Sequence, residues 1–161
     1  MPEKVYLETS IVSYLTARPT NNLIAAAWQQ ETLNWWETQR HRFDLYISAV
    51  VQEEASRGDG AAASRRLEAL AGIPLLPFTE EAVNLSKALI QQGGLPAKAL
   101  DDALHISLAA VHGMDYLLTW NCRHIDNAEK KPIIRRICQA YGLVCPEIAT
   151  PIELMGANED D

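Results

Sequence analysis

Four stretches of the chain bring an oxygen-bearing side chain to the end of a β-prone run or the start of a helix. "KVYLE" ends on Glu8 and continues into Thr9 and Ser10, and "DLYIS" leads within two turns to Glu53 and Glu54. "LPAKALDDALHISLAAVHG" reads as a helix with Asp101 and Asp102 in its first turns. "DYLLTW" carries Thr119 at its end, with Asn121 just beyond. Carboxylates gathered in one place repel one another unless a divalent cation neutralises them. Hard oxygen donors with no His or Cys at ligand spacing suit Mg²⁺ or Mn²⁺, not Zn²⁺. Bound metal then stabilises charge on a phosphate and activates a water. Metal chemistry alone does not choose between Glu53 and Glu54 or between Asp101 and Asp102. On a helical wheel Leu100, Leu104, Leu108 and Val111 form the expected core face. Asp101 shares a stripe with His105 and His112 beside it, and Asp102 lies roughly opposite Leu100, near Ile106 and Ala109. Both acids gain from the positive end of the helix dipole.

The surrounding elements explain how such residues meet. Short apolar strands ("KVYLE", "DLYIS", "IPLLPF", "DYLLTW", "LVCPEI") alternate with helical stretches, which indicates an α/β fold with a mostly parallel sheet. Helices are expected over "TSIVSYL", from Leu23 to Arg42, over "AVVQEEASRG" with a stop at Gly58, and over "AAASRRLEALAG". Another runs from an N-cap at Thr79 to Gln92. Pro96 opens the helix of the two aspartates and Gly113 closes it, and a last helix follows Pro132. In open α/β sheets ligands gather beyond the carboxyl ends of the strands, and there Glu8, Glu54 or its neighbour, the aspartate pair and Asn121 are expected to converge.

The chain has 161 residues and is 48% hydrophobic, which fits one domain over residues 1–155 followed by a disordered tail over 156–161. A net charge of −7 argues against a protein that coats nucleic acid, but not against an enzyme that holds metal with carboxylates. No apolar run is long enough to cross a bilayer, so no membrane association is expected. "MPEKVYLETS" lacks the layout of a secretory signal. Cys122, Cys138 and Cys145 cannot all pair and read as reduced, buried thiols of a cytoplasmic protein.

"VYLETS" resembles the first-strand signature of PIN domains, two hydrophobic residues, an acid, then Thr or Ser. "YISAVVQEEASRG" resembles their second element, in which a Glu precedes a Gly by four positions, as Glu54 precedes Gly58. "LPAKALDDALHISLA" is similar to the third, Leu-Pro-x-x-Asp-Ala-x-x-Ala, where the acid stands directly before Ala; that selects Asp102. "LLTWNCRHI" resembles the fourth, Thr-x-Asn/Asp followed by a polar run. These matches extend from Val5 to Ile125, and "PEIATPIELM" is similar to the tail of a bacterial subgroup related to VapC-type toxins. The resemblance implies a three-layer α/β/α fold around a five-stranded parallel sheet. It implies an Mg²⁺- or Mn²⁺-dependent ribonuclease acting on RNA, a homodimer, and the toxin of a pair with a small antitoxin. It also implies metal ligation by Glu8, Glu54 and Asp102, with Asn121 completing the catalytic set.

Two positions depart from the family pattern. Glu8 stands where the acid is usually Asp, and one methylene moves a carboxylate by ~1.5 Å, a displacement that can cost about 100-fold in rate. Asn121 is neutral where members often carry Asp there or three residues on, and the later position is His124. Asp126 is a further acid at the wrong spacing. A second expectation follows: a PIN-like module with altered acids that binds RNA or a protein partner without turnover. A phosphoacceptor receiver would need paired acids after the first strand and a late Lys, which are lacking. His105 and His112 read as helix-surface or partly buried, and His124 as a loop residue. Trp28, Trp35 and Trp36 read as core or subunit-interface residues. Arg57, Arg123, Lys130 and Lys131 are basic groups available to phosphates.

Overall fold

The computed structural model describes residues 1–156. The expected disordered tail, Gly156 apart, lies outside the described residues. In chain order the elements are β1 (Glu3–Leu7), α1 (Thr9–Thr16), α2 (Leu23–Thr38), a 3-10 turn (Arg40–Arg42), β2 (Phe43–Ser48), α3 (Ala49–Ala55), α4 (Gly60–Leu70), β3 (Leu75–Leu76), α5 (Glu80–Gln91), α6 (Leu100–Val111), β4 (Tyr116–Leu118), α7 (Lys131–Ala140) and β5 (Glu147–Ala149). The five strands form one parallel sheet in the order β3-β2-β1-β4-β5, with helices over both faces. β1 is the central strand, and Tyr6 sits level with Tyr46 on one side and Leu117 on the other. Val5, Tyr6 and Leu7 are all buried, as a strand covered on both faces requires.

Several boundaries differ from the sequence reading. β1 stops at Leu7, so Glu8 stands just past the strand, at the N-cap position of α1. α2 ends at Thr38 rather than Arg42: the Gln39 N–H bonds back to Trp35, and the chain tightens into the 3-10 turn. "IPLLPF" contributes only Leu75–Leu76, with Pro74 and Pro77 on either side at the sheet edge, where a missing N–H is tolerated. "LVCPEI" contributes only its end, because Pro146 cannot donate to the ladder. Pro96 does not open α6. It begins a turn closed by the Ala99 N–H on its carbonyl, and the helix starts at Leu100. Gly113, at φ +69°, follows α6 in the left-handed conformation expected of a C′ glycine.

α6 buries a different principal face from the one its leucines predict. Leu100 is 47% exposed, whereas Ala103, Ile106, Ala109 and Ala110 lie in the main core. Leu104, Leu108 and Val111 pack with Val50 and Ala82 in a second, smaller cluster. A helix caught between a sheet and other helices has two apolar faces. The larger side chains mark one, and small residues mark the face of closest approach. This turns Asp102 and His105 inward.

Helix starts fall into two groups. Asn22, Asp59 and Thr79 cap α2, α4 and α5, each side chain accepting the N–H of the residue three places on at 3.0–3.1 Å. α1, α3 and α6 begin at Glu8, Ser48 and Ala99 with no side-chain cap. α7, beginning after Lys130, also has no side-chain cap, and its Pro132 supplies no N–H to satisfy.

Candidate active site

The uncapped starts of α1 and α3 follow directly on the carboxyl ends of β1 and β2, and α6 brings its own start to the same cleft. Glu8 is buried at 6% exposure. Its Oε1 accepts the hydroxyls of Ser10, two residues on, and Thr119, beyond β4, the latter at 2.6 Å. Glu54, in the last turns of α3, accepts the Thr9 hydroxyl at 2.7 Å and His105 Nε2 at 2.6 Å, again on Oε1. Asp102, in the first turn of α6, receives His124 Nδ1 on Oδ2 at 3.0 Å. Each of the three carboxylates therefore has one oxygen tied, while the other has no hydrogen-bond partner among the described residues. One ligand atom from each of Glu8, Glu54 and His105 lies within 4.8 Å of the others. Asp102 falls outside that tight group and shares with Glu54 an open cleft of about 340 Å³ that also touches Lys98 and Asp101.

Arg57 separates the members of each acidic pair. Its guanidinium bonds Glu53 at 2.7 Å and lies 3.6 Å from Asp101, all three on the exposed surface. Glu54 and Asp102 bond His105 and His124 instead. Asn121 does not point an acid at the site. Its Oδ1 accepts the His124 N–H at 3.0 Å and its own N–H donates to Thr119, so it shapes the loop that carries His124.

A PIN domain model matches residues 5–130. The chain belongs to the PIN domain family. No curated protein matches it. Among solved structures it is similar to a chain in the crystal structure of VapBC2 from Rickettsia felis, solved bound to a DNA fragment from their promoter. The TM-score is 0.57 at 17% identity over 91% of this chain and 98% of that one, a likeness of fold.

In this PIN domain the histidine on α6 is the main correction to the sequence reading. His105 is fully buried rather than on the helix surface, and its Nδ1 meets the Tyr6 hydroxyl at 2.7 Å. The same hydroxyl lies 2.7 Å from Ser48 Oγ. Burial opposes a charged His105, but the bond to Glu54 and the fields of Glu8, Glu54 and Asp102 outweigh it and raise its pKa. Burial likewise pushes Glu54 up, and the His105 and Thr9 bonds more than compensate, holding its carboxyl below the ordinary value. Burial, opposed by the Ser48 bond, drives Tyr6 well above the usual phenol range. Tyr6, Ser48, His105 and Thr119 are the residues that sequence reasoning missed or underused. A polar tip on an otherwise apolar central strand, as in "VYL", was the available signal for Tyr6.

The remaining expectations sort by contact. Asp126 is taken by Lys131 at 2.6 Å and does not replace a site acid. Arg57 and Lys131 are thus already paired with carboxylates, and Lys130 reaches a backbone carbonyl. His112 is partly exposed and meets the Pro77 carbonyl. Trp35 is core, its indole N–H on the Leu154 carbonyl at 3.0 Å. Trp28 stacks on Trp120 at 4.7 Å, and Trp36 lies under Arg40. The apolar residues that α2 exposes are instead Leu23, Ile24 and Leu33. Of the cysteines Cys138 is buried, but Cys122 is exposed and Cys145 half-buried, so the expectation of three buried thiols fails for two.

Proposed function

We propose that this PIN domain is an Mg²⁺- or Mn²⁺-dependent endoribonuclease that hydrolyses RNA phosphodiester bonds and serves as the toxin of a toxin–antitoxin pair. The supporting observation is the half-tied state of Glu8, Glu54 and Asp102. One oxygen of each is held by a hydroxyl or imidazole and the other is left for a ligand. An oxygen-only set of this kind suits a hard divalent cation. His105 is excluded as a ligand because both ring nitrogens already have partners. Glu8, Glu54 and Asp102 would hold the cation, which when bound supplies charge neutralisation at the phosphate and a more acidic water. The protein's part is to fix the acids. Thr119 and Ser10 orient Glu8, Thr9 and His105 orient Glu54, and His124 orients Asp102. Asn121 holds the His124 loop and adds no charge. The fold likeness to a chain of VapBC2 favours a small antitoxin partner. An arginine of that partner would meet the free carboxylate oxygens with a matching fork. A homodimer is part of the same reading, with the exposed Leu23, Ile24 and Leu33 on α2 as its apolar surface.

The test is cleavage of labelled RNA with Mn²⁺, with Mg²⁺ and with chelator. A thermal melt accompanies it: Mn²⁺ at 100 times its dissociation constant is expected to stabilise the parent by about 2.7 kcal/mol and Asp102→Asn by much less. No cleavage and an equal shift in parent and variant would sink the reading.

One observation favours a second reading. His105 and His124 already meet two of the three acids, and Asn121 is neutral, so the cluster has internal partners without a cation. On that reading the domain binds RNA or a protein and does not turn over. RNA binding without metal-dependent cleavage would select it.

A further inference from the structure

A line of buried side chains runs from the sheet interior to Glu54. Ser48 Oγ lies 2.7 Å from the Tyr6 hydroxyl, which lies 2.7 Å from His105 Nδ1, and His105 Nε2 lies 2.6 Å from Glu54 Oε1. Ser48, Tyr6 and His105 are each at 0% exposure. The protons can be assigned along the line. An ionised carboxylate only accepts, so Nε2 carries a hydrogen. In the neutral ring Nδ1 then accepts from the Tyr6 hydroxyl, whose oxygen accepts from Ser48; in the charged ring Nδ1 donates to Tyr6, Tyr6 donates to Ser48, and Nε2–H faces Glu54 as before. Every donor finds an acceptor, and the bond on one ring nitrogen sets the tautomer presented by the other.

Ser48 supplies an independent sign that this line is built. It occupies the N-cap position of α3, where a serine ordinarily accepts a backbone N–H, yet its side chain makes no cap bond. Its hydroxyl goes to Tyr6 instead. Four different elements thus contribute to the placement of one carboxylate: β1 through Tyr6, the end of β2 through Ser48, α6 through His105 and α1 through Thr9. A glutamate has several free torsions. Two donors on the same oxygen, one from α1 and one from α6, remove that freedom and define where Oε2 points.

We propose that His105 is a positioning residue for Glu54. Its Nε2–H, with the ring held from the Nδ1 side by Tyr6 and Ser48, ties Oε1 together with Thr9 and presents Oε2 to a divalent cation. This rests on the reading of the site as a metal centre. Groups that orient a metal ligand in this way are typically worth about 10–100-fold in metal affinity.

The experiment titrates the full chain with Mn²⁺ alone, followed by calorimetry, and records ¹⁵N-histidine spectra without metal. Variants are His105→Gln, whose amide nitrogen can stand where Nε2 stands, His105→Phe, which keeps the ring and deletes both nitrogens, and Tyr6→Phe. In the parent the spectra should show His105 protonated at Nε2. Mn²⁺ affinity should fall by about 10–100-fold in His105→Phe and recover most of that loss in His105→Gln. Tyr6→Phe removes the one partner of Nδ1 while Glu54 keeps the hydrogen on Nε2, so it should loosen the ring and weaken Mn²⁺ binding by a smaller factor. If His105→Phe does not fold, Tyr6→Phe decides the matter, because it removes a single oxygen. A parent His105 protonated only at Nδ1 overturns the assignment outright. Mn²⁺ affinity equal to the parent in His105→Phe, or in Tyr6→Phe where His105→Phe does not fold, overturns the positioning role and leaves the metal reading standing. A parent that takes up no Mn²⁺ overturns both and is recognised by that alone.

Discussion

The starts of α2, α4 and α5 and the starts of α1, α3 and α6 are chemically alike and physically opposite. All but the last have a polar residue at the cap position. Asn22, Asp59 and Thr79 spend it on their own helix, closing an unpaired N–H. Glu8 and Ser48 cap no N–H of their helices: Glu8 takes the hydroxyls of Ser10 and Thr119, and Ser48 meets Tyr6. Ala99 has nothing to spend, and the acids of α6 lie just inside the helix. The difference separates stability from chemistry within one fold. A capped start contributes about 1 kcal/mol and nothing to a site. An uncapped start gives up that contribution and points its oxygen at a neighbouring segment.

Glu8→Gln tests the uncapped class most severely. The amide keeps the size and can still accept from Thr119, so folding should survive, while Mn²⁺-dependent RNA cleavage should fall by about 100-fold or more. Glu8→Asp keeps the charge and should retain a measurable fraction of the rate; a Glu8→Gln enzyme as fast as the parent removes Glu8 from the chemistry. Thr119→Val should come next. The methyl replaces a buried hydroxyl that both donates to Glu8 and accepts the Asn121 N–H. Expected are a loss of about 10–100-fold in cleavage and a chemical-denaturation stability lower by about 1–3 kcal/mol. Thr79→Ala is the counterpart in the capped class. It should cost about 1 kcal/mol in the same denaturation curve and leave cleavage unchanged, so a large activity loss there would erase the distinction.

The smallest effect is expected at Glu153, an exposed acid that belongs to neither class. Burial pushes the Glu153 carboxyl up, but the N–H and hydroxyl of Thr150, with Asp126 and Lys131, outweigh it and hold it below its ordinary value. A folded-state value below the unfolded one gives stability that is whole above about pH 4.3. That stability is lost as pH falls through the folded value. Glu153→Gln should therefore lower stability slightly at neutral pH and flatten the acid limb of a stability–pH curve. An unchanged acid limb would rule out the contribution.

What the sequence made legible follows from how local each signal is. The alternation of strands and helices and the family motifs were readable, and the motifs point to Glu54 and Asp102 over their neighbours, because spacing to Gly58 and Ala103 is a local property. The exposed pairing of Glu53 and Asp101 with Arg57 then agrees with that choice. The burial of His105 was not readable. It depends on which of two apolar faces of α6 meets the sheet, and the leucines that dominate a helical wheel belong to the other one. The bond from His105 to Tyr6 spans 99 residues, and no periodicity reports a contact at that separation. Strand lengths were overestimated where Pro74, Pro77 and Pro146 interrupt the runs, since apolar composition outlasts the hydrogen-bond ladder.

The central place of β1 in the sheet has a consequence for the order in which the molecule comes into being. The strand nearest the beginning of the chain is flanked by β2 and by β4, and Thr119, which holds Glu8, lies 111 residues further along. During synthesis Glu8 emerges 111 residues before Thr119. Its flanking strand and its tether are missing until residue 119 has left the ribosome, and contacts so distant along the chain are slow to close. The carboxylate set with its Thr119 tether is therefore complete only after β4 has docked.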